Sequence, residues 1–204
     1  MSQTQQRSHF TSQRVGRSNE TTITMKVLRL AAAILFCWAL SAVAHAQVIN
    51  RANVPAGYAT PTDGTFSIRF PIPFMDMAER GDSFGADADT VVHMVTGMTG
   101  SGIRLSAAEM PDPNNKLAPV DTFMDKLKQR LGAGAVLSDV SRDQNGNTNA
   151  VSFALAAHGR GFYFRVIRAD RSQYILLVQF PESQRDTATE LKEAFFSSFS
   201  FARP

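Results

Sequence analysis

Two stretches late in the chain, Phe162 to Ala169 and Gln173 to Phe180, are apolar on both faces, and this limits most strongly how the chain can fold. Paired across an Asp170-Arg171 turn, they put Phe162, Phe164 and Val166 beside Ile175 and Leu177 on one side. The other side carries Tyr163 and Ile167 beside Tyr174, Leu176, Val178 and Phe180. A strand pair of this kind needs cover on both faces. Two amphipathic helices can supply it, either one on each face or both on one face with loops on the other. A layered arrangement around a mostly antiparallel sheet follows.

The first helix is predicted over Pro119 to Leu131. Val120, Phe123, Met124, Leu127 and Leu131 recur at the i, i+3, i+4, i+7 spacing of one buried stripe, and Gly132 and Gly134 stop it. The second is predicted from a capping-box-like Ser183 and Asp186 to about Phe196, with Ala188, Leu191 and Phe195 inward. Alternation predicts strands over Thr65 to Phe70, Thr90 to Met98, Ile103 to Met110, Val136 to Arg142 and Thr148 to Ala157, with a short last one around Phe199 and Phe201. Asn145-Gly146 and Gly159-Arg160 are the expected hairpin turns. Gln47 to Asp63 reads as an irregular lead-in, and Met75 to Ala88, acidic and containing Gly81 and Gly85, as a loop.

The start of the chain indicates a compartment. Met25, Lys26 and Arg29 precede an uncharged, mostly apolar run from Leu30 to Val43, and Ala44-His45-Ala46 follows. This is the pattern of a signal peptide, Met25 to Ala46, cleaved between Ala46 and Gln47. The run is shorter than the roughly 20 apolar residues that span a bilayer. A periplasmic or secreted protein is expected, with no membrane span after cleavage. Residues 1–24 are polar and lack apolar periodicity, so they read as a disordered leader or a mis-assigned start. Residues 64–204 form the expected single globular domain.

Cleavage would change the charge. The full chain has 21 basic and 18 acidic residues. Removing Arg7, Arg14, Arg17, Lys26, Arg29 and Glu20 leaves 16 and 17, near −1. Nucleic-acid binding then has no electrostatic footprint. The chain's one cysteine, Cys37, leaves as well, and with it any disulfide, thiolate metal site or cysteine nucleophile.

Chemical motifs are sparse beyond residue 46. His93 and His158 are the only histidines there, on separate elements, and read as a strand residue and a turn residue. Met94 and Met98, with Met75 and Met77 nearby in sequence, suit core filling better than thioether metal binding. Asp82, Asp87 and Asp89 lack calcium-loop spacing, and Gly97 to Gly102 lacks the ending of a phosphate loop. Ser101 and Ser197 have no nucleophile-elbow context. No catalytic residue, metal ligand or cofactor is assigned.

One constellation stands out. Arg165 interrupts the apolar face of Tyr163 and Ile167. With the expected turns, Ala154 lies beside Arg165 and Asp139 beside Ser152 on that face. Small side chains leave room between Asp139 and Arg165. A buried arginine must be paired or must hold an anion. Arg165, Asp139, Ser152 and Tyr163 are therefore the candidate ligand-binding residues, with a structural Asp139–Arg165 ion pair as the competing reading.

Gly64-Thr65-Phe66-Ser67-Ile68-Arg69-Phe70-Pro71, a glycine and then a strand ending in Phe-Pro, resembles the opening of PsbP/Mog-like domains. Ala194-Phe195-Phe196-Ser197-Ser198-Phe199 resembles their closing helix and Ser-Phe strand. The resemblance spans roughly Gly64 to Ala202 and implies an α/β/α sandwich whose members serve mainly as binding or accessory modules, with no shared catalytic set. The expected fold class is thus α+β: an α/β/α sandwich with a mostly antiparallel sheet of about six to seven strands and two main helices. The expected function is a non-enzymatic binding or accessory module for an unknown envelope protein or small molecule. The alternative is a small-ligand or anion-binding protein using the face around Arg165, with a hydrolase a distant third.

Overall fold

The computed structural model describes residues 48–61, 64–80 and 89–202. The leader, the signal peptide with Cys37 and its Ala46–Gln47 cleavage point, and Asp82 and Asp87 lie outside the described residues.

The described strands are β1 (Val48–Val54), β2 (Gly57–Ala59), β3 (Phe66–Phe70), β4 (Phe74–Arg80), β5 (Val91–Met98), β6 (Arg104–Pro111), β7 (Val136–Asn145), β8 (Thr148–Ala157), β9 (Arg160–Ala169), β10 (Ser172–Pro181) and β11 (Ser200–Phe201). Helix α1 (Val120–Leu131) separates β6 from β7, and α2 (Arg185–Ser197) separates β10 from β11. Eight strands form one sheet in the order β1-β4-β5-β6-β10-β9-β8-β7, and β11-β3-β2 form a small second one. Every pairing is antiparallel. The chain is α+β, with two helices and a mostly antiparallel sheet.

The main sheet has eight strands rather than six or seven. The additions are β1 and β4, from segments expected to be irregular. In β4, Phe74-Met-Asp-Met-Ala-Glu-Arg carries acids on both faces, Asp76 on one and Glu79 on the other, which hides the alternation. Its backbone is nevertheless paired on both sides, to β1 and to β5.

The apolar pair at the centre behaves as its sequence requires. Ser172 faces Ala169 and Phe180 faces Gly161, so the Asp170-Arg171 turn is where it was expected. One core holds Phe162, Phe164, Val166, Ile175 and Leu177 under Phe123, Met124 and Leu127 of α1. The other holds Tyr163, Ile167, Tyr174, Leu176, Val178 and Phe180 under Ala188 and Phe195 of α2, with Phe66, Ile68 and Phe70 of β3 completing the cover. Successive strand residues point to opposite faces, so each helix takes its own side. Arg168 fixes the approach to α1, donating from Nη2 to the carbonyls of Leu117 and Ala118 and from Nε to Gln173 Oε1. No capping hydrogen bond forms at the start of α2, which has Gln184 as its N-cap and a short 3-10 turn before it. The Ser183–Asp186 capping box is therefore absent.

Two turns fall one residue away from their expected places. Ala157 faces Arg160, so the β8–β9 turn is His158-Gly159, with φ of 50° and 71°. A two-residue turn with both φ positive matches the strand twist. Asn145 faces Thr148, which makes Gly146-Asn147 the β7–β8 turn. In β7 the register shifts between Ser138 and Ser141. Asp139 and Val140 there oppose Phe153 alone, and Asp139 adopts φ 54°, a bulge at the sheet edge.

Candidate functional site

Helix α2 packs on β10 and β9 and leaves the outer strands uncovered on its side. A half-open cleft of about 790 Å³ fills that gap. Its floor is made of small side chains, Ala150, Ser152 and Ala154 of β8 with Ser141 of β7. Its far wall is α2 and the following tail, contributing Lys192, Phe196, Phe199 and Phe201.

All four candidate residues, Arg165, Asp139, Ser152 and Tyr163, line this cleft. Their mutual arrangement differs from the expected one. Because the β8–β9 turn is His158-Gly159, Arg165 faces Ser152, and Ala154 faces Tyr163. Ser152 in turn faces Ser141, while Asp139 sits in the bulge and accepts a hydrogen bond from Ser138 Oγ at 3.0 Å. The predicted Asp139–Arg165 ion pair does not form. Arg165 Nη2 instead lies 3.7 Å from Asp143 Oδ2, with the arginine side chain 33% exposed and the aspartate 68% exposed. Arg165 is thus half-buried at the edge of the cleft rather than sealed in the core, and its pairing is loose.

Lys192 is a second cation at the site. Its Nζ lies 4.9 Å from the centre of the Tyr163 ring, within cation–π range. Its side chain is 25% exposed and pairs at 2.7 Å with Glu193, whose carboxylate is open to water. Tyr163 OH is 2.9 Å from Thr189 Oγ1, and that hydroxyl donates to Arg185 O. Tyr163 therefore donates to Thr189, which fixes its ring beneath Lys192. Sequence pattern alone did not single out Lys192. The usable sign was the i, i+3, i+4 spacing of Thr189, Lys192, Glu193 and Phe196 flanking the buried stripe of α2.

A separate polar cluster joins the two sheets. Glu109 on β6 is buried, at 2% exposure. It accepts hydrogen bonds from Thr65 N and Thr65 Oγ1, each at 2.7 Å, and from Ser172 Oγ at 3.0 Å. Tyr174 OH completes the chain to Thr65 Oγ1 at 2.5 Å. Burial, aided by the Glu109 charge, raises the Tyr174 phenol above the ordinary tyrosine range, against weaker opposing hydrogen bonding with Thr65 and Ser172.

The remaining expected residues are dispersed. His158 Nε2 lies 2.9 Å from Leu131 O at the end of α1. His93 is half-buried opposite Glu109, and its Nδ1 has no hydrogen-bond partner among the described residues. Met94 is in the core under α1 whereas Met98 is exposed. Among the described residues, no group of three His, Cys, Asp or Glu could hold a metal ion, and no helix is long and apolar enough to cross a membrane.

No known protein-family model and no curated protein matches the chain. Among solved structures, the chain is similar to cyanobacterial PsbP (CyanoP) from Synechocystis sp. PCC 6803, determined in solution. The TM-score is 0.50 at 13% identity, over 80% of this chain and 99% of that one. The likeness concerns the fold, and it is a PsbP-like one.

Proposed function

We propose that the protein is a secreted or periplasmic, non-enzymatic binding or accessory module built as an α/β/α sandwich. One layer is α1, the middle layer is the eight-stranded sheet, and the outer layer is α2 with the small sheet. The observation that carries the reading is the way the two faces are used. The α1 face is packed across its centre, whereas the α2 face stops short and leaves a cleft bearing charged and aromatic side chains. Sites for small ligands are typically concave, apolar-walled and fitted with a few polar groups. A signal peptide over Met25–Ala46 would deliver the domain to the envelope.

A second reading is favoured by one specific observation. Arg165 and Lys192 share the cleft, and among the described residues the carboxylate each pairs with is itself open to water. That suits a small-ligand or anion-binding protein using the face around Arg165. The test is recovery of the protein from its native envelope, with identification of retained proteins and small molecules. The proposal expects a species held saturably and unchanged. Consumption of the retained species by the protein, or retention of none, contradicts it.

A further inference from the structure

We propose that the cleft between α2 and strands β7–β9 binds an amphipathic monoanion: a carboxylate head between Arg165 and Lys192, with an apolar tail against Phe196, Phe199 and Phe201. This rests on the reading of the protein as a binding module and names the ligand class of that cleft.

The head site follows from two cations brought to one place by different elements. Arg165 is two residues beyond Tyr163 on the same face of β9, about 7 Å along the strand. Lys192 reaches the Tyr163 ring from α2. Both side chains are at least two-thirds withdrawn from water. A half-desolvated cation gains more from a well-placed anion than a free surface charge does. The resident carboxylates, Asp143 and Glu193, are mostly in water, and such pairs are weak enough to give way.

The tail site is aromatic. Phe199 stacks on Phe66, with ring centres 5.9 Å apart, and Phe201 meets Phe199 edge-on at 5.3 Å. Phe201 is 43% exposed, a large apolar surface to leave in water beside a cleft. Phe196 packs on the edge of the same core and lines the cleft one helical turn beyond Lys192. A volume of about 790 Å³ holds a head and a tail together. The lining also includes Asp139 and Glu193. These acids would repel a polyphosphate or other multiply charged ligand, and so select a single negative head.

The experiment is calorimetric titration of the purified protein with octanoate, acetate, octylamine and octanol. Octanoate should bind at least about tenfold more tightly than the other three, because only it satisfies both the cations and the rings. Arg165→Met and Lys192→Met should each weaken octanoate about tenfold, the scale of one charge-assisted hydrogen bond. Arg165→Lys should retain part of the affinity. Phe201→Ala should weaken octanoate and leave acetate unchanged. Melting curves of the variants check that each is folded. Equal binding of octylamine and octanoate overturns the proposal, as does octanoate affinity that survives both cation substitutions. Failure of all four probes overturns it too. The binding-module reading then stands or falls by recovery from the native envelope, which does not depend on this cleft.

Discussion

Thr65, the residue just before β3, and Glu109 on β6 are joined twice, by the backbone N–H and by the hydroxyl of Thr65, each 2.7 Å from a different carboxylate oxygen. The contact fixes the entry of β3 over the buried end of β6. Among the described residues no cation pairs with Glu109, so the carboxylate depends on these donors and on Ser172. Replacing Glu109 with Ala leaves the amide of Thr65 and two hydroxyls without an acceptor at a part-buried site. The expected cost is about 3 kcal/mol, against about 1 kcal/mol for Thr65→Ala, which removes one donor. Urea denaturation of the two variants measures the difference.

Tyr174 hangs on the same network, and the sign of its pH effect is determined. Its phenol is raised in the folded protein, chiefly by burial. A raised acid is protonated more in the folded than in the unfolded chain. Its contribution is therefore present below the ordinary tyrosine range, and it is lost as pH rises through the folded value. Stability should fall on the alkaline side, and Tyr174→Phe should flatten part of that fall. Phenolate absorbance together with melting across alkaline pH tests both points.

Gly161 on β9 faces Phe180 on β10, and a Cβ at Gly161 would lie 2.2 Å from the Phe180 ring. The ring covers the glycine as a lid and packs on Tyr163 at 4.8 Å. Gly161→Ala should destabilise the domain by about 1–3 kcal/mol or more through overpacking. Adding Phe180→Leu should recover part of the loss. Additive losses in the double variant would contradict the lid geometry.

The helix stripe gives a contrast within two adjacent residues. Leu127 is fully buried under the sheet, and Lys128 beside it is exposed. Leu127→Ala should cost about 2–5 kcal/mol, and Lys128→Ala less than about 0.5 kcal/mol. Thermal melting of the pair decides whether the helix register is right.

How far the sequence could be read is visible at Arg165. Its face was legible, because alternation assigns sides without needing the partner strand. Its neighbours were not. Placing the β8–β9 turn one residue late moves the pairing by two residues. Such a shift keeps every side chain on its own face but changes what it meets. Ser152 therefore faces Arg165 where Ala154 was expected. The β7–β8 turn, one residue later than expected, puts Ser141 rather than Asp139 opposite Ser152, and the bulge then takes Asp139 out of regular pairing. A bulge at a sheet edge leaves little trace in hydrophobic pattern. Strand β4 was hidden for a different reason. Met75, Asp76, Met77 and Glu79 give no clean period, and the strand exists because β1 and β5 pair with it on either side. The central pair β9–β10 and both helices were legible because their burial is dense enough to dictate the pattern.

Arg165 also has a stability consequence. Its ion pair with Asp143 is long and exposed, so Arg165→Met should change folding stability by no more than about 0.5 kcal/mol. A sealed Asp139–Arg165 pair would instead have cost several. A large loss on this substitution alone, measured by denaturant titration, would mean that Arg165 is structural.

The most direct measurement is a heteronuclear NMR titration of the protein with octanoate, read residue by residue. The account predicts saturable shifts confined to one face: Ser152, Tyr163 and Arg165 of the sheet, with Lys192, Phe196 and Phe201 along α2 and its tail. Residues of the α1-side core, such as Phe123, Met110 and Leu127, should stay still. Shifts centred on the exposed Tyr58 or Met98, or spread evenly over the surface, would contradict a binding cleft at Arg165 and Lys192.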